Sequence, residues 1–169
     1  MITKKNNRGI SSIIATLLLV VLTIVLVAVV WSVVSNLVNP KISQSTACFG
    51  NFEEVTLNDL YSCYDSNLNQ THISLKIGNI DLDGVLVSVS GQSQTKSFTI
   101  TNSPKSITNL TNFDGTTQVS LSGKNSGATY IYNWSSSVAP TSIQILPLIG
   151  GQQCSQSDAI SSLDSCALL

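Results

Sequence analysis

The distribution of apolar and polar positions divides the chain at Asn39-Pro40. Before that point Ile10 to Val38 reads ISSIIATLLLVVLTIVLVAVVWSVVSNLV, 29 residues with neither Gly nor Pro and no ionisable side chain. As a helix this run is about 43 Å long at 1.5 Å per residue, against roughly 30 Å of hydrocarbon in a bilayer. Its many Val and Ile favour strand in water, but in lipid each backbone group has to be paired within the segment, which selects helix. No polar stripe exists to turn toward water, so a soluble surface helix is excluded. Pro40 is expected to end the helix or kink it just before the next domain.

Beyond Pro40 the chain turns rich in Ser, Thr, Asn and Gly, and short runs of period two replace the continuous apolar stretch. These are Ile73-Leu75-Ile77, Val85-Val87-Val89, Phe98-Ile100, Val119-Leu121, Tyr130-Tyr132-Trp134 and Ile143-Ile145. Short strands separated by turn-rich stretches predict an antiparallel sandwich or barrel. Asp83-Gly84 between the first two runs reads as a hairpin turn. Pro104 to Asn112 reads as loop, and Thr56 to Tyr64 fits no clear pattern. Roughly 130 residues suffice for one core. The expected fold class is α+β, with a long hydrophobic helix over residues 10–39 and an antiparallel β-sandwich head over 40–169.

Charge fixes the orientation of this arrangement. Of eight Lys and Arg, three (Lys4, Lys5 and Arg8) lie in the first nine residues, and from Ile10 onward five Lys face nine acids, a net of −4. Cations before the apolar run and none until Lys41 place the leader in the cytoplasm and the head outside. A secretory signal peptide has a much shorter apolar region followed by an A-x-A-like site, which this run lacks. Eight cations against nine acids form no broad phosphate-facing patch, so nucleic acid is not an expected partner. With 43% apolar and only 10% charged residues, the chain is no disordered tail either.

The leader Lys4-Lys5-Asn6-Asn7-Arg8-Gly9 runs directly into Ile10-Ser11-Ser12-Ile13-Ile14-Ala15-Thr16. Over about the first 38 residues the sequence resembles the archaeal type IV pilins, whose class III signal is a short basic leader ending in a small residue ahead of an uninterrupted apolar helix. The resemblance implies cleavage between Gly9 and Ile10 by a prepilin peptidase and removal of residues 1–9. It also implies a pilin-type (Ig-like) β head, and handling by a pilus assembly machinery. The fifth mature position, Glu in most bacterial type IV pilins, is here Ile14, which favours the archaeal branch. An uncleaved anchor with a coincidental Arg-Gly is the plain alternative.

Physical chemistry makes the same role reasonable. A helix apolar on all sides leaves the membrane only where identical helices bury it, as in a filament core. At 100° per residue Ser12, Thr16 and Thr23 share an arc of about 40°, a small-residue stripe allowing close approach. The other reading is that these hydroxyls bond the carbonyl one turn back.

Candidate chemistry in the head is sparse. His72, the single His, alternates with Ile73 and belongs on the polar face of a strand. Ser93 to Lys96 has the S-x-x-K spacing that activates Ser on one helical turn, but this stretch reads as strand. The acid pairs Glu53-Glu54 and Asp81/Asp83 come with no base or nucleophile. Asn79 to Gly84 opens like an EF-hand loop, yet its twelfth position is Ser90 where a bidentate Glu is required. A looser calcium site at Asp81 and Asp83 is the one remaining metal candidate, weaker than a plain turn. No catalytic residue and no cofactor is expected.

Two sets of modifications follow from the external placement. The sequons Asn69-Gln70-Thr71, Asn109-Leu110-Thr111 and Asn133-Trp134-Ser135 are glycosylation candidates, Asn109 foremost because it reads as loop. Cys48, Cys63, Cys154 and Cys166 are even in number, fit disulfides outside the cell, and lack the C-x-x-C spacing of zinc sites. The expected pairing is Cys48 with Cys63 and Cys154 with Cys166, each closing an irregular loop; Cys48 with Cys154 and Cys63 with Cys166 is the rival.

Taken together, these readings predict a structural subunit of an archaeal pilus-like filament. It is a single-pass membrane protein before assembly and a cell-surface filament afterwards, built from copies of itself, with the head available for adhesion. A permanently anchored extracellular ligand-binding β domain is the alternative, and a tethered hydrolase is disfavoured.

Overall fold

The computed structural model describes residues 12–48 and 53–166. The leader, with Gly9 and Ile10, lies outside the described residues. The chain forms two compact units, residues 1–44 and 45–169.

A helix, α1, spans Ser12–Cys48. It is longer than the expected 10–39 because it continues through Pro40. Proline lacks the N–H that would bond the carbonyl four residues earlier, here Asn36, and costs a helix interior about 3 kcal/mol. The helix resumes beyond that one missing bond, and its last residue, Cys48, is held covalently by the head.

Among the described residues the head contains twelve strands. They are β1 (Val55–Leu57), β2 (Cys63–Asp65), β3 (Gln70–Ile77), β4 (Gly84–Gly91), β5 (Thr95–Thr101), β6 (Lys105–Ser106), β7 (Leu110–Asn112), β8 (Gln118–Val119), β9 (Ser126–Asn133), β10 (Pro140–Ile149), β11 (Gln152–Gln153) and β12 (Asp158–Ile160). One sheet has the order β1-β3-β9-β7, with β2 sharing the outer edge of β3 with β1. The second has the order β11-β10-β4-β5, with β12 sharing the outer edge of β10. All pairings between these strands are antiparallel, and β6 with β8 forms a small third ribbon.

The two five-stranded sheets pack face to face as the expected sandwich. Ile73, Leu75 and Tyr130 of the first meet Val85, Val87, Val89, Ile100, Ile143 and Ile145 of the second in one buried cluster. Phe98 stacks on Tyr132 across the interface with ring centroids 5.0 Å apart. The period-two runs therefore mark the inward faces correctly. On one side the sheets are tied by polar contacts: the Leu57 N–H donates to Asp158 Oδ2 at 2.8 Å, and Ser157 Oγ donates to the Val55 carbonyl at 2.8 Å.

Three local expectations are corrected. Asp83-Gly84 is not a hairpin turn, because β3 and β4 belong to different sheets. Residues 78–83 cross between them and cap the core with Ile80 and Leu82, both buried. The tight hairpin is instead Gly150-Gly151 between β10 and β11, where both glycines have positive φ, 59° and 74°, as a two-residue primed turn requires. The stretch Pro104 to Asn112, expected as loop, contains β6 and β7, and irregular Thr56 to Tyr64 touches β1 and β2. Each of these strands is only two or three residues long, too short for periodicity to register.

The disulfide pairing is the rival one, Cys48–Cys154 and Cys63–Cys166, with Cα–Cα distances of 5.5 and 5.1 Å. Backbone pairing decides it. The Tyr64 N–H donates to Asp164 O at 2.8 Å and the Cys166 N–H to Tyr64 O at 3.0 Å, so the C-terminal segment runs alongside β2 and delivers Cys166 to Cys63. Cys154 follows β11, its N–H bonded to Pro147 O at 2.8 Å. Sequence separations of 106 and 103 make these long-range clamps, each of which the chain-entropy model values at about 4.7 kcal/mol when taken alone.

Non-reducing peptide mapping should yield cross-linked peptides joining Cys48 to Cys154 and Cys63 to Cys166, and none joining Cys48 to Cys63. Replacing Cys63 and Cys166 together with Ala should lower unfolding stability by about 2–5 kcal/mol in denaturant titration. A second expectation concerns Tyr130, fully buried, whose hydroxyl donates to Ser120 O at 2.8 Å. Burial pushes its phenol from 10 up to about 12. The unfolded chain releases this proton first, so the folded state loses stability as pH rises from 10 toward 12. Tyr130→Phe should flatten that part of the alkaline unfolding profile, measured by circular dichroism.

Candidate functional site

Two regions carry the residues that sequence reading singles out: the apolar span of α1 and the surface of the head. The span Ile13–Asn36 has a mean hydropathy of 3.3 over its most apolar window, long and apolar enough to cross a membrane. Its large side chains are exposed all round, from Ile13 through Val34. No heptad seam or polar face interrupts them, because Leu, Val and Ile occupy nearly every position. Leu26, Val27, Val30, Trp31 and Val34 line a shallow groove along the helix, with the Trp31 ring 73% exposed beside it. The i, i+4 spacing of Leu26, Val30 and Val34 makes the ridge-and-groove relief by which apolar helices interlock.

Thr16 Oγ1 donates to Ile13 O at 2.9 Å and Thr23 Oγ1 to Val20 O at 2.8 Å. Both hydroxyls are thus satisfied within their own helix. The methyl groups and short side chains remain on a common arc, so the stripe presents small bulk without an unpaired donor. The side chain of Ser12 lies outside what is described.

On the head, β3 places His72 directly opposite Cys63. His72 is half-buried, edge-to-face with Phe113 at 6.2 Å. It belongs to a group with Cys63 and Cys166 whose ligand atoms lie within 4.8 Å of one another. Sequence distance hid this meeting of β2, β3 and the C-terminal segment. Both sulfurs are joined in a disulfide, so no thiolate faces the imidazole and the trio offers no soft ligand set. Tyr61, His72, Phe113 and Thr129 line an open cleft of about 440 Å³ beside it.

The acidic candidates separate. Asp81 Oδ2 pairs with Lys124 Nζ at 2.6 Å, whereas Asp83 Oδ2 accepts from the Gly151 N–H at 2.7 Å. Asp83 therefore braces the β10–β11 turn, and Asp81 sits in an exposed ion pair of little energetic weight. The two carboxylates do not join a ligand cluster among the described residues. Glu54 Oε2 accepts from the Asn79 N–H at 2.8 Å and steadies the crossing segment. Ser93 lies in the turn before β5 and Lys96 within that strand, so the S-x-x-K spacing is not helical.

All three sequon asparagines are exposed. Asn69 and Asn109 occupy left-handed turns, with φ of 53° and 64°, a conformation Asn tolerates better than most residues. Asn133 ends β9, so its strand does not hide it. The hydroxyl-bearing residues differ: Ser135 is exposed, Thr111 half-buried and Thr71 fully buried, its Oγ1 lacking a hydrogen-bond partner.

The chain matches no protein-family profile, no curated protein and no solved structure.

Proposed function

We propose that this protein is a structural, non-catalytic subunit of an archaeal type IV pilus-like filament. In this reading a prepilin peptidase removes residues 1–9, the helix holds the chain in the membrane, and an assembly machinery then packs the helices of many copies into a core surrounded by β heads. The heads form the outer surface and serve adhesion. The observation that carries the reading is the helix: α1 covers 37 residues, about 55 Å, and is exposed and apolar around its whole circumference over Ile13–Val34. Such a helix is stable in a bilayer or against copies of itself, but not in water. The two disulfides support the oxidising exterior for the head. The basic leader ending in Gly9 supports processing on the cytoplasmic face.

The competing reading is a permanently anchored extracellular binding domain. The 24-residue span Ile13–Asn36, about 36 Å as a helix, is what a single crossing needs, which gives this reading its support. The state of the N-terminus and the presence of filaments distinguish the two.

Shear fractions of the native host should contain filaments whose subunit begins at Ile10 by mass spectrometry; subunits that retain Met1 to Arg8 would overturn the processing scheme. Gly9→Phe should leave the chain uncut and unassembled. Leu19→Lys or Val25→Lys introduces a charge with no partner into the helix, at a cost of several kcal/mol in a dry core. Electron micrographs of either strain should lack filaments, and normal filaments would show that the helix is not buried between subunits.

A further inference from the structure

The three sequon asparagines, far apart in sequence, meet at one rim of the first sheet. Asn69 immediately precedes β3, Asn109 immediately precedes β7, and Asn133 closes β9, which lies between those two strands. Gln70 is in register with Asn133 on one side of β9, and Leu110 with Tyr132 on the other. Asn109 thus falls opposite Asn133, whose N–H donates to the Asn109 carbonyl at 2.8 Å. The Trp134 N–H donates to the Asn69 carbonyl at 2.8 Å. With strands about 4.8 Å apart, the three residues lie within about 10 Å of one another.

Their side chains are suitably presented. Asn69 Oδ1 accepts from the Tyr64 hydroxyl at 2.9 Å and Asn133 Oδ1 accepts from Gln70 Nε2 at 3.2 Å. In both, the oxygen is the engaged atom and Nδ2, the atom that carries an N-linked sugar, is left available. The rim also has a defined place in the head. Cys48 is bridged to Cys154 beside Pro147, which pairs with Val85 near the start of β4; the segment 78–83 joins that end of the second sheet to Ile77 of β3. The asparagines sit at the Gln70 end of β3, a strand length of about 23 Å away.

We propose that Asn69, Asn109 and Asn133 form a single N-glycan patch on the pole of the head farthest from Cys48. This rests on the external placement in the functional reading above, and not on polymerisation. The donor is a lipid-phosphate-linked oligosaccharide: the Nδ2–C1 bond forms as the C1–O bond to phosphate breaks, the lipid phosphate leaves, and one amide proton passes to a base. Ser135 and Thr111 are reachable in the folded head, so Asn133 and Asn109 accept sugar there. Thr71 is sealed, so the Asn69 sequon is read only before β3 pairs. The patch supplies hydration to a chain only 10% charged, whose solubility gains little from charge repulsion.

The test is glycopeptide mass spectrometry of protein purified from its native host. Sugar on two or all three sequons is expected, and sugar on none or on only one overturns the patch. Asn109→Gln and Asn133→Gln should each remove one glycan mass while both disulfides stay intact. An unchanged mass in both variants likewise overturns it. Glycosylated protein with an intact N-terminus and no filaments would leave the patch standing and remove the pilus reading; filaments of sugar-free subunits would do the reverse.

Discussion

Between Ile13 and Val34 the helix presents large aliphatic side chains in every direction, and removing each from water is worth about 1.5–3 kcal/mol. The sum is on the order of tens of kcal/mol, several times the stability of a typical domain. A span this long and apolar is suited to crossing a membrane. The same demand explains the sparse polar inventory of the span: Thr16 and Thr23 turn their hydroxyls onto their own backbone and expose no unpaired donor. Pro40 falls beyond the 24-residue span Ile13–Asn36.

The head answers a different problem. It is small, weakly charged and built from sheets whose outer edges would otherwise invite pairing with other chains. The edges of β3 and β10 are each covered by two short strands, β1 with β2 and β11 with β12. The crossing segment 78–83 closes one end of the core with Ile80 and Leu82, and the Trp134 indole, donating to Val138 O at 2.7 Å, closes the other. The disulfides then fasten the first residues of the unit to the last.

The long strands were legible because β3, β4, β9 and β10 bury one face each, so alternation survives at Ile73-Leu75-Ile77 and its counterparts. The short strands were not, since two or three residues carry no period. Asp83-Gly84 misled because a turn signal specifies a local bend and not which strands it joins: here the bend leads from one sheet to the other, and Asp83 spends its carboxylate on the Gly151 amide. The cysteine pairing was illegible for a related reason. It depends on the C-terminal segment running beside β2, a contact across about a hundred residues that no spacing encodes. The exposure of Asn133 could have been read from its place at the end of the Tyr130-Tyr132 alternation, whereas its meeting with Asn69 and Asn109 required the strand order.

The Cys48–Cys154 bridge also determines how the head bears mechanical load. Tension arriving along the last turn of α1 reaches Cys48 and passes through a covalent bond to Cys154, next to β11 and the long central pairing of β10 with β4. Without that bond the pull would travel through residues 49–54 into β1, a three-residue edge strand that could peel from β3 one hydrogen-bond pair at a time. With it, the force enters the head at Cys154, beside β10, which is joined to β4 over eight residue pairs. The bridge thus spares β1, the short edge strand that comes next along the chain, when the chain is pulled.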